Sequence, residues 1–270
     1  MKKTKMQVRV EDVDESNIED LIYVCSSKRL GDPIHQEGVN LKRLWLREML
    51  HEYGSCGKIA YYDEKPVAQI LYFPEEADRT KASRRKSVLV LHCIYNPVPA
   101  AQKMGIGKKL VRSVIEDAKQ RKTCLSNKPC RFIVAKAFDA GEFLPMPEFY
   151  RRCGFASAAD NGKDVLYLPI EDSYEPAVPT GEYEPLERDR DRAVIFYGPI
   201  CQFGYPFAKA TEELVREVAP EIKVEMINEW EHPQESIERK NRWLVINAKP
   251  IRTFFMDTEN FKKEVREALG

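Results

Sequence analysis

Apolar positions along the chain recur with two periods, and the switches between them outline the elements. Residues 7–13 alternate polar and apolar, as a half-buried strand does. Asp14 or Ser16 then stands where a helix cap belongs, ahead of Ile18, Leu21, Ile22 and Cys25 at helical spacing. Leu41, Leu44, Trp45, Met49 and Leu50 mark one face of a second helix. Strands at 58–62 and 67–73 flank Asp63-Glu64-Lys65-Pro66, which reads as a hairpin turn. The run 88–95, VLVLHCIY, is apolar almost throughout and predicts a strand covered on both faces. From 107 to 119 the period returns to helical, with Leu110, Val111, Val114, Ile115 and Ala118 on one face. Residues 131–138 read as a strand, Pro147 opens a short helix ending near Gly154, and Phe155 begins the next strand.

After residue 169 the pattern lapses. Residues 170–191 carry eight acidic and two basic side chains and three prolines, which favours an extended connector. Past it the periods resume: a strand at 192–199, a helix at 205–218 and a strand at 222–228. Strands at 243–247 and 251–255 then flank Ala248-Lys249-Pro250, and a last helix, capped by Asp257 or Thr258, carries Phe261, Val265 and Leu269. The chain therefore divides into a domain at 1–169, an acidic Pro-rich linker at 170–191 and a small domain at 192–270.

Charge and composition sharpen this division. The 270 residues balance to zero, but 1–169 carries +7, the linker −6 and the remainder −1. A mildly basic first domain suits an anionic ligand, and it lacks the concentrated basic face of a nucleic-acid binder. With 43% hydrophobic and 32% charged residues the chain can build ordinary cores. No apolar run reaches the roughly 18 residues of a spanning helix, and the basic start has no apolar stretch behind it. The seven cysteines are odd in number and form no CxxC pair, so neither a disulfide framework nor a zinc site is indicated, and no metal is expected. A reducing cytoplasm is the compartment this implies.

The most informative segment is Gln102-Lys103-Met104-Gly105-Ile106-Gly107, set between the apolar strand and the amphipathic helix. Its glycines permit turns that other residues resist. The amides from Met104 to Lys108 would emerge at the positive end of a helix dipole, where phosphate binds well. Lys103, Lys108 and Lys109 add charge. A P-loop is excluded, because Gln102 and Lys109 occupy the positions that need Gly and Ser or Thr. A dinucleotide fingerprint is excluded by Leu110 in place of its third Gly.

This segment resembles the Gln/Arg-x-x-Gly-x-Gly/Ala signature of the GNAT N-acetyltransferases. Phe149-Tyr150-Arg151-Arg152-Cys153-Gly154-Phe155 resembles a second segment of that family, and the element order agrees over roughly residues 5–170. The resemblance implies an α+β fold: a GNAT-type mixed sheet flanked by helices. It further implies acetyl-CoA as cosubstrate, its pyrophosphate on the loop Gln102, Lys103, Met104, Gly105, Ile106, Gly107 and Lys108, and its pantetheine arm beside Cys93, Ile94 and Tyr95. A primary amine would attack the thioester directly in a ternary complex, and Tyr150 would donate to the leaving thiolate. Tyr150 could equally be a packing aromatic. One departure is the stretch 96–101, which is longer than the usual link. No general base stands out: His92 reads as a core residue or a base, and Glu75, Glu76 and Asp78 as an exposed acidic loop or as acceptor ligands.

The order β-α-β-β-β-α after the linker resembles a small thioredoxin-like α/β domain, and the pairing resembles acetyltransferases with a YoaP-type C-terminal domain. Cys201 lies where such a domain keeps a reactive thiol, but Cys201-Gln202-Phe203-Gly204 has no second cysteine. The alternatives are a thiol-dependent or ligand-binding activity at Cys201, and a domain for scaffolding, homodimer formation or substrate binding.

Overall fold

The computed structural model describes residues 8–137, 144–158 and 165–270. Within it the elements run β1 (Arg9–Asp12), α1 (Ile18–Ser26), α2 (Pro33–Tyr53), β2 (Gly57–Tyr62), β3 (Lys65–Pro74), β4 (Val88–Tyr95), α3 (Ile106–Lys119), β5 (Phe132–Lys136), α4 (Met146–Arg152), β6 (Ala156–Ser157) and β7 (Val165–Pro169). There follow β8 (Arg192–Tyr197), α5 (Gly204–Val218), β9 (Lys223–Asn228), α6 (Pro233–Glu238), β10 (Leu244–Ile246), β11 (Lys249–Pro250) and α7 (Thr258–Leu269). The expected strand ends at Gln7 and Phe138 lie outside the described residues.

Contacts divide the chain into two units. The first holds the described residues through Lys28, then Leu46–Asp78 and Ser83–Val178; the second holds Arg29–Trp45, Arg79–Ala82 and Pro179–Gly270. Two short stretches that precede the linker in sequence thus pack with the chain that follows it. The linker itself is divided: Arg131 pairs with Asp172 and Glu175, and Tyr174 stacks on Tyr167 with ring centroids 4.4 Å apart. Acidic residues there are drawn onto basic ones of the first unit, so this stretch packs as far as Val178 instead of running free.

The first unit is a seven-stranded mixed sheet in the order β1-β2-β3-β4-β5-β7-β6. Among the described strands of this sheet only β4 and β5 run parallel. The β2–β3 turn is the two residues Asp63 and Glu64, both left-handed at φ 53° and 57°, and β3 begins at Lys65. That is the mirror-image turn whose twist matches a hairpin. α1 buries Ile18, Leu21, Ile22 and Val24. Its start is not capped by Asp14 or Ser16. Asp14 instead accepts from the Ser16 amide, and Asn17 Oδ1 accepts from the Asp14 amide. α3 buries Leu110, Val111, Val114 and Ala118, as its period predicts.

Two expectations fail for the same reason, that tertiary neighbours decide which apolar residues are covered. The α2 helix starts earlier than its apolar pattern suggests, at Pro33, where Asp32 Oδ1 accepts from the amides of Ile34 and His35 at 3.0 and 3.2 Å. Its buried stripe is His35, Gly38, Val39, Lys42, Trp45, Leu46 and Met49, whereas Leu44 is 64% exposed. β4 is covered only in its first half. Its pairing with β5 ends at Leu91↔Ala135, and residues 92–95 are half-buried.

The second unit has a four-stranded sheet in the order β11-β10-β8-β9, with β8 and β9 parallel and the other pairs antiparallel. Ala193, Ile195, Val215, Leu244, Ile246, Phe261 and Val265 form its core with α5 and α7. The β10–β11 turn is Asn247-Ala248, left-handed at φ 48° and 56°, so the hairpin sits two residues earlier than Ala248-Lys249-Pro250 implied and residues 253–255 are not strand. The first half of α2 packs closely in this unit: a Cβ on Gly38 would lie 2.1 Å from the Gln202 carbonyl oxygen.

Candidate functional site

The glycine loop enters α3 through two left-handed residues, Lys103 at φ 59° and Gly105 at φ 76°. At Gly105 a Cβ would meet nothing within 4 Å, so the glycine answers a backbone need and leaves open space beside it. The first helical bond runs from the Lys109 amide to the Gly105 carbonyl at 2.9 Å. The amides of Ile106, Gly107 and Lys108 therefore lie ahead of any intrahelical acceptor. An open cleft of about 540 Å³ runs from the loop along the first turns of α3, lined by Val10, Met104, Gly105, Lys108, Lys109, Arg112, Ser113 and Glu116. Three cations against one carboxylate, at a helix start, suit a diphosphate.

The other expected loop residues have different tasks. Gln102 donates from Nε2 to the Asn96 carbonyl at 3.1 Å, and Asn96 Nδ2 donates to the Ala101 carbonyl at 3.0 Å. These two amides staple the long 96–101 link, which contains a short turn of 3-10 helix at Pro99–Ala101. Gly107 serves close packing: a Cβ there would come within 3.3 Å of the Phe149 ring and 3.6 Å of Ile94. Ile106 is buried, whereas Lys103, Met104 and Lys108 are exposed.

Beside this loop β4 changes partners. The β3–β4 register shifts between Leu71 and Tyr72, so that Leu71 pairs with Cys93 and Tyr72 with Leu91, leaving His92 as the extra residue of a bulge. Beyond the bulge, Cys93, Ile94 and Tyr95 stay paired to β3 but have left β5. A strand edge that loses its neighbour presents backbone groups to a ligand. It is here that the family resemblance implies a pantetheine arm, beside Cys93, Ile94 and Tyr95.

Around Cys93 lie polar side chains sealed from water. Gln69, on β3 and fully buried, donates from Nε2 to Cys93 Sγ at 3.1 Å, with Cys25 Sγ of α1 at 3.7 Å. Its Oε1 has no partner among the described residues. Tyr150, on α4, is likewise fully buried against Phe149 and Phe155, and its hydroxyl has no partner among them. Burial pushes its phenol well above the ordinary range, and the nearby thiols of Cys93 and Cys153 push the same way. Gln69 was not singled out in the sequence, although it is a lone amide in the apolar run VAQILYF.

The acidic turn after β3 is not an exposed loop. Glu75 is fully buried and bound by Arg85 through Nε and Nη2, the latter at 2.6 Å, and Glu76 accepts from the Ser87 amide. Its carboxylate is committed to a buried ion pair. His92 lies 6.1 Å from Phe73, ring to ring. Cys201 is an exposed residue of the second unit, ahead of α5. No group of three or more His, Cys, Asp or Glu among the described residues could hold a metal ion, and no helix among them is long and apolar enough to cross a membrane.

Residues 27–155 match the model of the Acetyltransferase (GNAT) family. The match spans 129 of the 270 residues. It makes the enzyme an acyltransferase with acetyl-CoA as donor. Solved structures similar to this chain include the PaiA N-acetyltransferase of Thermoplasma acidophilum in complex with coenzyme A, 14% identical over 61% of this chain and 99% of that one, TM-score 0.43. Another is a GNAT family acetyltransferase of Brucella melitensis in complex with acetyl-CoA, 16% identical over 64% of this chain and 92% of that one, TM-score 0.39. No curated protein sequence matches the chain.

Proposed function

We propose that the first unit transfers the acetyl group of acetyl-CoA to a primary amine by direct attack within one ternary complex. The observation that carries this reading is the cation-lined cleft at the start of α3, reached through left-handed Lys103 and Gly105. Amides of Ile106, Gly107 and Lys108 would hold the pyrophosphate, helped by Lys108, Lys109 and Arg112. The free edge of β4 at Cys93, Ile94 and Tyr95 would hold the pantetheine arm and polarise the thioester carbonyl. The amine nitrogen bonds to the carbonyl carbon, the carbon–sulfur bond breaks, the thiolate leaves, and the surplus proton on nitrogen passes to solvent. Most of the acceleration comes from holding both reactants together. Tyr150 serves as a hydrogen-bond donor to the thiolate. Its phenol sits above its ordinary value, whereas a thiol has a reference pKa near 8.5, so the proton stays on Tyr150 while the bond stabilises the departing charge. The experiment is a panel of primary amines read by release of free coenzyme A thiol. Turnover that vanishes in Gly105→Glu, whose carboxylate repels the diphosphate, supports the reading. Turnover unchanged in that variant removes the loop from the mechanism.

A second reading concerns Cys201. The order β11-β10-β8-β9 with α5 and α7 supports a thioredoxin-like, YoaP-type unit, and the exposed Cys201 precedes the start of α5. A thiol role in a cytoplasmic, reducing compartment fits seven free cysteines. Loss of acetyl transfer in Cys201→Ser would favour it.

A further inference from the structure

Building on the acetyl-transfer reading, we infer that Gln69 binds the attacking amine, accepting one of its N–H groups at Oε1. A buried amide with one end satisfied and the other bare is costly unless a ligand completes it. The Gln69 side chain is in that state: Nε2 is held by Cys93 Sγ at 3.1 Å, and Oε1 has no partner among the described residues. Its position is specific. Gln69 pairs with Tyr95 across the β3–β4 ladder, on the stretch of β4 that follows the His92 bulge and has parted from β5. The two sulfurs beside its Nε2, Cys93 at 3.1 Å and Cys25 at 3.7 Å, belong to residues that are only half-buried.

The second bare group lends the argument its chemistry. Tyr150 Oη and Gln69 Oε1 are both buried without partners among the described residues; Gln69 Nε2 contacts the Cys93 thiol, and the same thiol helps to raise the Tyr150 phenol. One is a donor and the other an acceptor. Aminolysis of a thioester needs that pair: a donor for the sulfur that gains charge, and an acceptor for the nitrogen that arrives with its hydrogens. The acceptor is uncharged. A carboxylate at this place would hold an ammonium ion and keep its lone pair occupied by a proton, whereas an amide oxygen holds a neutral amine as well and leaves the lone pair free. Gln69 thus favours the protonation state that reacts.

The test compares the full chain with Gln69→Leu and Gln69→Glu. The probes are a lysine-containing peptide, a peptide α-amine and spermidine, and the fastest acceptor is carried forward. Gln69→Leu is expected to raise the acceptor KM roughly tenfold, as loss of one hydrogen bond does, while coenzyme A affinity by calorimetry and the melting temperature do not fall. Gln69→Glu is expected to move the acid limb of kcat to higher pH, because a carboxylate stabilises the ammonium form of the bound acceptor. Unchanged acceptor KM in Gln69→Leu, with coenzyme A still bound, overturns the role of Gln69 and leaves acetyl transfer standing. Failure of the unsubstituted chain to bind coenzyme A overturns both. A crystal of the acetyl-CoA complex decides independently of the acceptor: Gln69 Oε1 is expected to stay unbonded to the cofactor, and a hydrogen bond from the pantetheine amides to it would make Gln69 a cofactor residue.

Discussion

Gly105 is the residue where backbone conformation and chemistry meet. Its φ of 76° is left-handed and its surroundings are open. Gly105→Ala is therefore a test of strain alone, expected to cost about 1–2 kcal/mol and to lower the melting temperature by several degrees in calorimetry. A larger loss would mean that the glycine is packed, against the open space seen beside it. Tyr150→Phe should behave in the opposite way. Removing a buried hydroxyl with no partner among the described residues leaves stability equal or higher, while kcat falls and coenzyme A affinity holds; equal kcat would leave Tyr150 as a packing aromatic. The glycine loop was legible in the sequence because a turn into an amphipathic helix is a local matter. Gln69 was not. Its amide matters only because β4 bulges at His92 and brings Cys93 against it, which is a property of register, not of any short run of residues.

At the scale of elements, β4 illustrates what an apolar run conceals. VLVLHCIY reads as one buried strand, but only its first half has a neighbour on each side, and the half that loses β5 is the one proposed to face the pantetheine arm. The hairpins were legible in kind and displaced in detail, since left-handed Asp63-Glu64 and Asn247-Ala248 set tighter turns than the prolines suggested. α3 came through intact because its apolar face meets its own sheet. Of the two readings of the turn after β3, the exposed acidic loop fails at Glu75, since nothing local announces that Arg85 returns to close on it. That pair is buried on both sides, with side-chain exposures of 8% and 0%, and Arg85 also donates to the Glu175 carbonyl in the former linker. Glu75→Ala strands a buried guanidinium and is expected to cost roughly 3–5 kcal/mol, read as a shifted urea midpoint. A shift below about 1 kcal/mol, the range of exposed pairs, would show that water reaches Arg85 freely.

At the scale of the whole chain, domain boundaries in sequence and units in space diverge. Residues 29–45 read as part of the first domain because they precede its hairpin, yet they belong with 179–270. The reason lies in the stripe that α2 buries. Gly38 lets the helix backbone approach the Gln202 carbonyl, His35 lies 5.0 Å from the Phe203 ring, and Trp45 lies 6.1 Å from Trp230. His35 is buried with its pKa held below the ordinary value, by burial first and by Arg29 next. The unfolded chain then takes up the proton more readily than the folded one, so this contribution is intact at neutral pH and fades as pH drops below about 6.5. The melting temperature of the second unit should fall between pH 7.5 and 5.5, and by less in His35→Gln; equal falls would acquit the imidazole. The same stripe makes a sharper test by truncation. A chain ending at Val178 retains every residue of the cleft around Gly105 but removes what His35, Gly38 and Trp45 pack against. Hydrogen exchange should then lose protection over residues 29–45 while residues 106–119 keep theirs, and coenzyme A should still bind. Protection that persisted over 29–45 would mean that this half of α2 holds itself, and that its place in the second unit is incidental to its stability.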